Sequence, residues 1–145
     1  GISLAAKIKK KKFKTIIIIG DGELNEGSNW EAAMTADKHS LNNLIILIDY
    51  NKYQSYGHLK KVSGLNSLDK KFKSFGFKTQ EIDGHNLKQI RRALKNSFQE
   101  KKKPSVIICN TIKGKGYSKA ENNPAWHYVK KVSSEKAQEI LNKIR

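Results

Sequence analysis

Four short runs of strand-forming residues interrupt an otherwise lysine-rich chain, and the stretches between them carry helical periodicity. Thr15-Ile16-Ile17-Ile18-Ile19, Leu44 to Tyr50 and Ser105 to Thr111 are built around apolar runs rich in branched side chains, Ile16 to Ile19, Leu44 to Ile48 and Val106 to Cys109. Runs of that length and composition predict strands buried within a sheet. Lys78-Thr79-Gln80-Glu81-Ile82 predicts a fourth, more polar strand. Ile2 to Lys12 predicts a helix with Ile2, Ala5, Ala6 and Ile8 on its apolar side. After the first strand, Gly27-Ser28-Asn29 offers an N-cap for a helix running through Trp30, Ala33 and Met34 toward Ser40. Leu68 to Phe75 reads as a short basic helix. Asn86 caps a helix over Leu87 to Gln99, whose stripe is Leu87, Ile90, Ala93, Leu94 and Phe98. A terminal helix over Ser133 to Ile144, opened by Ser134, carries Ala137, Ile140, Leu141 and Ile144 on one side. Asn51 to Gly64 and Lys113 to Tyr128 read as long loops, which inside a compact domain are usually functional.

Strands alternating with helices predict an α/β fold, a mostly parallel sheet flanked by helices. A strand-helix-strand crossover is almost always right-handed, so the carboxyl ends of the first two strands open on the same sheet edge. Asp21 and Asn51, each just past one of these strands, then face each other across one crevice. A carboxylate and an amide oxygen converging there suit a small hard cation. Gly20 and Gly22 allow the backbone to approach a phosphate at the start of the following helix. The plainer reading of Asp21 is a turn aspartate after a strand, and of Gly22 an ordinary turn glycine.

Composition narrows this picture. A chain of 145 residues with 37% hydrophobic residues is enough for one domain, taken as residues 1–145, with its own core. No apolar run reaches the length of a membrane span and no secretory signal pattern is present, so a cytoplasmic location with no membrane partner is expected. The net charge of +16 is spread along the chain, with clusters at Lys7 to Lys14 and Lys101 to Lys103. Aromatic residues are not interleaved with these clusters, so solvated lysine-rich faces are favoured over a specific nucleic-acid site. Cys109, the single cysteine, lies in an apolar run and reads as an inert buried thiol. Lys113-Gly114-Lys115-Gly116 lacks the earlier glycine and the following Ser or Thr of a phosphate loop.

Gly20-Asp21-Gly22 followed by Asn51 resembles the thiamine diphosphate signature. The likeness extends through Glu23-Leu24-Asn25-Glu26-Gly27, Ile82-Asp83-Gly84-His85-Asn86, Thr111-Ile112-Lys113-Gly114-Lys115-Gly116 and Glu121-Asn122-Asn123-Pro124-Ala125-Trp126-His127. Together these segments are similar to the N-terminal, diphosphate-binding half of the transketolase family. The resemblance implies a thiamine diphosphate-binding fold that lacks an N-terminal part, where the family supplies further histidines and glycines. It implies thiamine diphosphate and Mg²⁺ as cofactors, with the cation held by the Asp21 and Asn51 side chains and the Tyr53 main-chain carbonyl. Gly20 and the Gly22 amide would approach the diphosphate. Glu26 matches a glutamate at the family's subunit interface, its plainer role being a first-turn carboxylate near a helix dipole. Ser55 stands where the family presents an apolar side chain to the thiazolium ring. His127 matches a catalytic histidine near the diphosphate and substrate, with Tyr128 where the family has Gly; a solvated loop histidine is the alternative. His85 is expected to be structural.

The function so implied is the diphosphate- and Mg²⁺-binding part of a split transketolase-like enzyme. It would transfer a two-carbon ketol unit between sugar phosphates or related ketoses, in a dimer or heterotetramer with a pyrimidine-binding subunit or domain. The chain alone is expected to be inactive. Two alternatives stay open: part of another thiamine diphosphate enzyme, of the 1-deoxyxylulose-phosphate synthase or oxo-acid dehydrogenase kind, and a non-catalytic remnant or basic binding module.

Overall fold

In the computed structural model, which describes residues 1–55, 57–128 and 131–144, the apolar runs become strands of a single parallel sheet. In chain order the elements are α1 (Ile2–Ile8), β1 (Thr15–Gly20), a 3-10 turn (Asp21–Asn25), α2 (Gly27–Lys38) and β2 (Leu44–Tyr50). There follow β3 (Tyr53–Gln54), β4 (Gly57–His58), α3 (Leu59–Val62), α4 (Leu68–Ser74) and β5 (Lys78–Asp83). The chain continues with α5 (Leu87–Gln99), β6 (Ser105–Asn110), a second 3-10 turn (Pro124–Trp126) and α6 (Ser134–Ile144). The sheet order is β1-β2-β6-β5, every pair parallel, with Gly20 opposite Asp49 and Asp49 opposite Cys109. β3 and β4 form a small antiparallel hairpin inside the segment expected to be a loop.

Alternation along β2 and β6 divides the core between the two sheet faces. Ile46, Ile48, Val106 and Ile108 pack with Leu24, Ala33, Ala36, Phe72 and Phe77, under α2 and α4. Ile45, Ile107 and Cys109 pack with Ala93 and the partly buried Leu94 of α5 on the other face. Burial raises the Cys109 thiol pKa, with Asp49 nearby adding to it, as an inert thiol requires. Among the described residues no helix is long and apolar enough to cross a membrane.

Several boundaries and faces differ from expectation, each for a local reason. α1 stops at Ile8 rather than Lys12, because Lys10 turns left-handed (φ 51°). The Lys10 N–H then bonds Lys7 O and the Lys11 N–H bonds Ala6 O, a Schellman closure built on lysine instead of glycine. Its inward face is Ser3 and Ala6 with Leu4 partly buried, leaving Ile2 and Ile8 exposed. α2 begins at Gly27 and has no side-chain cap; Asn29 and Trp30 instead donate to the carbonyls of Glu23 and Leu24. On α5, Ala93 is buried while Leu87 and Phe98 are exposed. Ser133, not Ser134, caps α6 through the Lys136 amide. Of its expected stripe, Ala137 and Ile140 are half-buried and Leu141 is exposed, and the Ile144 side chain lies outside the described residues. α4 ends at Ser74, one residue before the expected Phe75, and is followed by Gly76 at φ 74°, where a Cβ would sit 1.8 Å from an Asp37 carboxylate oxygen.

The largest departure is β1. Its composition predicts a buried strand, but it lies at the sheet edge and, among the described residues, pairs only with β2, so Ile16, Ile17 and Ile18 are 45%, 39% and 73% exposed. An all-isoleucine edge with open backbone groups invites association. Ile18→Lys is therefore expected to reduce concentration-dependent light scattering while moving the unfolding free energy by about 0.5 kcal/mol or less. Ile48→Ala, at a fully buried position, should cost about 2–5 kcal/mol in the same denaturant titration.

Candidate functional site

The neighbouring strands β1, β2 and β6 end on one edge of the sheet, and the residues that follow them converge there. Asp21 follows β1, Asn51 follows β2, and Thr111 to Lys113 follow β6. Asp21, Asn51 and Lys113 line an open crevice of about 360 Å³ there. Gly20, Asp21, Gly22, Glu26, Asn51, Tyr53, Ser55 and His127 all border it, so the structure brings together every residue singled out from the sequence.

Asp21 is buried, at 1% exposure, and opens the 3-10 turn. Its Oδ2 accepts the Lys52 N–H at 2.5 Å, whereas Oδ1 is buried without a hydrogen-bond partner. Burial raises the Asp21 pKa to about 6, offset in part by the Lys52 and Gly22 amides and by Lys113, while Asp49 adds to the rise. A buried carboxylate oxygen without a donor is costly to ionise and is the feature a bound cation would satisfy.

Asn51 is oriented from both ends. Its Nδ2 donates to Asp49 Oδ2 at 3.0 Å, and its Oδ1 accepts the Tyr53 N–H at 2.9 Å. Asp49 is in turn fixed by the Thr111 hydroxyl, which donates to its Oδ1. Lys52, between Asn51 and Tyr53, is left-handed at φ 69°. Together these residues present one carboxylate, one amide and one backbone segment, the oxygen-rich set that suits a hard divalent cation. Among the described residues no group of three or more His, Cys, Asp or Glu side chains gathers to hold a metal, so the candidate is of the mixed-oxygen kind. Gly22 is the close-approach glycine of the crevice, since a Cβ there would lie 2.9 Å from Gln54 Cγ.

The outer wall comes from the loop after β6. Lys113 Nζ lies 3.1 Å from His127 Nδ1. A protonated lysine donates in such a pair, which leaves the ring proton of a neutral His127 on Nε2. Two cationic or donor groups thus stand across the crevice from Asp21, a suitable arrangement for an anionic ligand bridging a cation and a lysine. Ser55 is exposed with φ 48°, and Glu26 is an exposed rim residue between the 3-10 turn and α2. His85 is structural as expected, its Nε2 accepting the Ile112 N–H at 2.8 Å.

Asp49, Gln54 and Lys113 also belong to this site and escape the sequence reading. Asp49 is legible only as a carboxylate ending an apolar strand two residues before Asn51. Lys113 lies in a pattern that fails the requirements of a phosphate loop, which hides its place in the crevice. Gln54 has no local signal, because its role depends on the fold bringing it over Gly22.

Comparison with known proteins follows the same line. Residues 4–141 match the family model described as transketolase, thiamine diphosphate binding domain. The chain is 44% identical over 128 residues to one of the subunits of the apulose-4-phosphate transketolase of Actinobacillus succinogenes, covering 88% of this chain and 46% of that protein. It is 42% identical over 130 residues to the 6-deoxy-6-sulfo-D-fructose transketolase subunit SqwG of a Clostridium species, covering 90% and 47%. It therefore spans just under half the length of either relative. The crystal structure of Campylobacter jejuni transketolase superposes with a TM-score of 0.85 at 27% identity, over 98% of this chain and 22% of that one. The signature residues, the parallel sheet and these matches agree: the chain belongs to the transketolase family, within its thiamine diphosphate-binding domain.

Proposed function

We propose that this chain anchors the diphosphate of thiamine diphosphate through Mg²⁺ and forms the diphosphate-binding part of a transketolase-type enzyme. A pyrimidine-binding domain or subunit would complete the site. The observation that carries this reading is the buried, unpartnered Oδ1 of Asp21 in the crevice that Asn51 and Tyr53 share. Asp21, the Asn51 amide oxygen and the Tyr53 carbonyl would hold the cation. The Gly22 amide, Lys113 and His127 would meet the diphosphate and the substrate side of the crevice, His127 through an Nε2–H held in place by Lys113.

When bound, the cofactor supplies a nucleophilic carbon and an electron sink for cleaving the bond beside a ketose carbonyl. This chain's share of the work is binding and orientation. Asp49 aligns Asn51, and the Asp21 bond to the Lys52 amide holds the turn that follows β2. Both of the relatives above carry names that make them subunits of transketolases, which supports a two-part enzyme transferring a two-carbon ketol unit between sugar or sugar phosphate substrates. Glu26 on the rim and the apolar edge of β1 are the surfaces suited to a companion. The transketolase-type reading is favoured over other thiamine diphosphate enzymes by these relatives and by the Glu121–His127 segment.

Isothermal titration with thiamine diphosphate and Mg²⁺, with and without a complementary pyrimidine-binding subunit, tests the proposal. Binding heat that needs the companion and disappears with a chelator is expected; no heat in either case overturns it. Ketose turnover by this chain alone would overturn the division of labour between two parts.

A second expectation comes from the Asp21 pKa. With a folded pKa of about 6 against an ordinary 3.8, the folded metal-free chain holds this proton more tightly than the unfolded one. The resulting stability is complete below about pH 4 and is lost as pH rises through about 6, a change on the order of 3 kcal/mol. Asp21→Asn keeps the acceptor for Lys52 and removes the charge. Without metal near pH 7.5 it should be more stable than the wild type by about 1–3 kcal/mol in urea titrations, while losing the stabilisation that Mg²⁺ and cofactor confer on the wild type.

A further inference from the structure

At the wall of the crevice, which includes Gln54, three polar side chains link the 3-10 turn to the hairpin that follows Asn51. Asn25 Nδ2 donates to Gln54 Oε1 at 2.5 Å, and the Ser63 hydroxyl donates to Asn25 Oδ1. The aliphatic part of Gln54 lies over Gly22, so close that a Cβ on residue 22 would sit 3.1 Å from Gln54 Cβ. The hairpin segment so held has two left-handed non-glycine residues, Lys52 at φ 69° and Ser55 at φ 48°. Left-handed backbone at such residues persists only where the surroundings enforce it. Among the described residues it is also restrained by the β3–β4 pairing, the Lys52 N–H on Asp21 Oδ2, the Tyr53 N–H on Asn51 Oδ1 and the Leu59 N–H on Lys52 O at 2.9 Å.

We propose that Asn25, Gln54 and Ser63 act as a latch that positions the Asn51–Gln54 backbone against the Gly20–Gly22 turn, setting the crevice before any ligand enters. The inference rests on the cation-anchoring reading above and extends it to residues that need not touch the ligand. The latch joins the two sequence segments of the site, one after β1 and one after β2, by side chains rather than by the sheet. It also gives Gly22 a second reason to be glycine, since any side chain there would push Gln54 out of the latch. Gln54 is a positioning residue, and its effect on ligand affinity passes through the hairpin backbone.

The test uses Asn25→Ala, Gln54→Leu and the double variant of the full chain. Gln54→Leu retains the aliphatic cover over Gly22 and loses only the acceptor. In cofactor-free protein, amide hydrogen exchange at Tyr53 and Leu59 should accelerate in each variant, with exchange in β2 and β6 unchanged. With the complementary subunit present, affinity for thiamine diphosphate and Mg²⁺ should fall about ten- to hundredfold. The double variant should lose no more than the worse single one, because the two residues act as a unit. Unchanged hairpin exchange, or losses that add, would overturn the latch. Faster exchange with unaltered affinity would overturn its positioning role. A wild-type chain that binds no cofactor overturns the reading beneath both, and it is told apart because the exchange measurement needs no cofactor.

Discussion

The parallel register of β1, β2 and β6 is the constraint from which the rest follows. Backbone ladders set Gly20 beside Asp49 and Asp49 beside Cys109, so the residues one or two positions beyond each strand must emerge side by side. Asp21, Asn51 and Thr111 are those residues. The apolar side chains of β2 and β6, buried on both faces, hold this register, because slipping a strand by one residue would send every core isoleucine to the wrong side. Site and core are thus two outputs of one hydrogen-bond pattern, as expected where ligands bind at the carboxyl ends of parallel strands.

Within that frame the electrostatics are local. A chain of net charge +16 has ample cation at its surface, yet Asp21 is surrounded by backbone amides, a neighbouring carboxylate at Asp49 and only one lysine, Lys113, close enough to influence it. The carboxylate is kept dry and partly unsatisfied by the same packing that buries Leu24 beside it. Surface lysines do not relieve this, because their charge is screened by solvent. The general positive charge and the specific anion chemistry of the crevice are therefore separate properties. Lys113 belongs to both.

Much of this was legible in the sequence, and the failures have a common cause. The four strands, the mostly parallel class and Gly20, Asp21, Gly22 and Asn51 could be read from apolar runs and from residues placed just past them, while Glu26, Tyr53, Ser55 and His127 came from the resemblance to the transketolase family. What could not be read was which neighbours the fold supplies. Isoleucines at 16 to 18 have the composition of a central strand, but whether a strand is central depends on what pairs with its second edge. Lys10 and Ser40 close helices in left-handed conformations that local propensity assigns to glycine or asparagine. Leu87 and Phe98 fit a helical stripe, yet α5 covers only a narrow strip of sheet and turns Ala93 and Ser97 inward. Asp49 and Gln54 matter through partners distant in sequence, Thr111 and Asn25, and no spacing rule marks such pairs.

The exposed edge bears on function as well as on solubility. Ile16 and Ile18 point to one side of the sheet and Ile17 to the other, by the two-residue period of a strand, so the face of Ile16 and Ile18 is exposed at β1 while that of Ile17 and Ile19 is partly covered. Adjacent to it, Ile2, Leu4, Ile17, Ala32 and Leu44 line an apolar groove of about 530 Å³ between α1, α2 and the strand. Any element that covers this edge will also brace Gly20 and the turn that carries Asp21, since β1 leads directly into both. On the β1 side the sheet supports the crevice through the single ladder to β2, and the turn that follows is tied by the Lys52 N–H to Asp21 and by the Asn25–Gln54 bond. An element that covered β1 would thereby also steady the arrangement of Asp21, and a ligand that bound this arrangement would strengthen such an association in return.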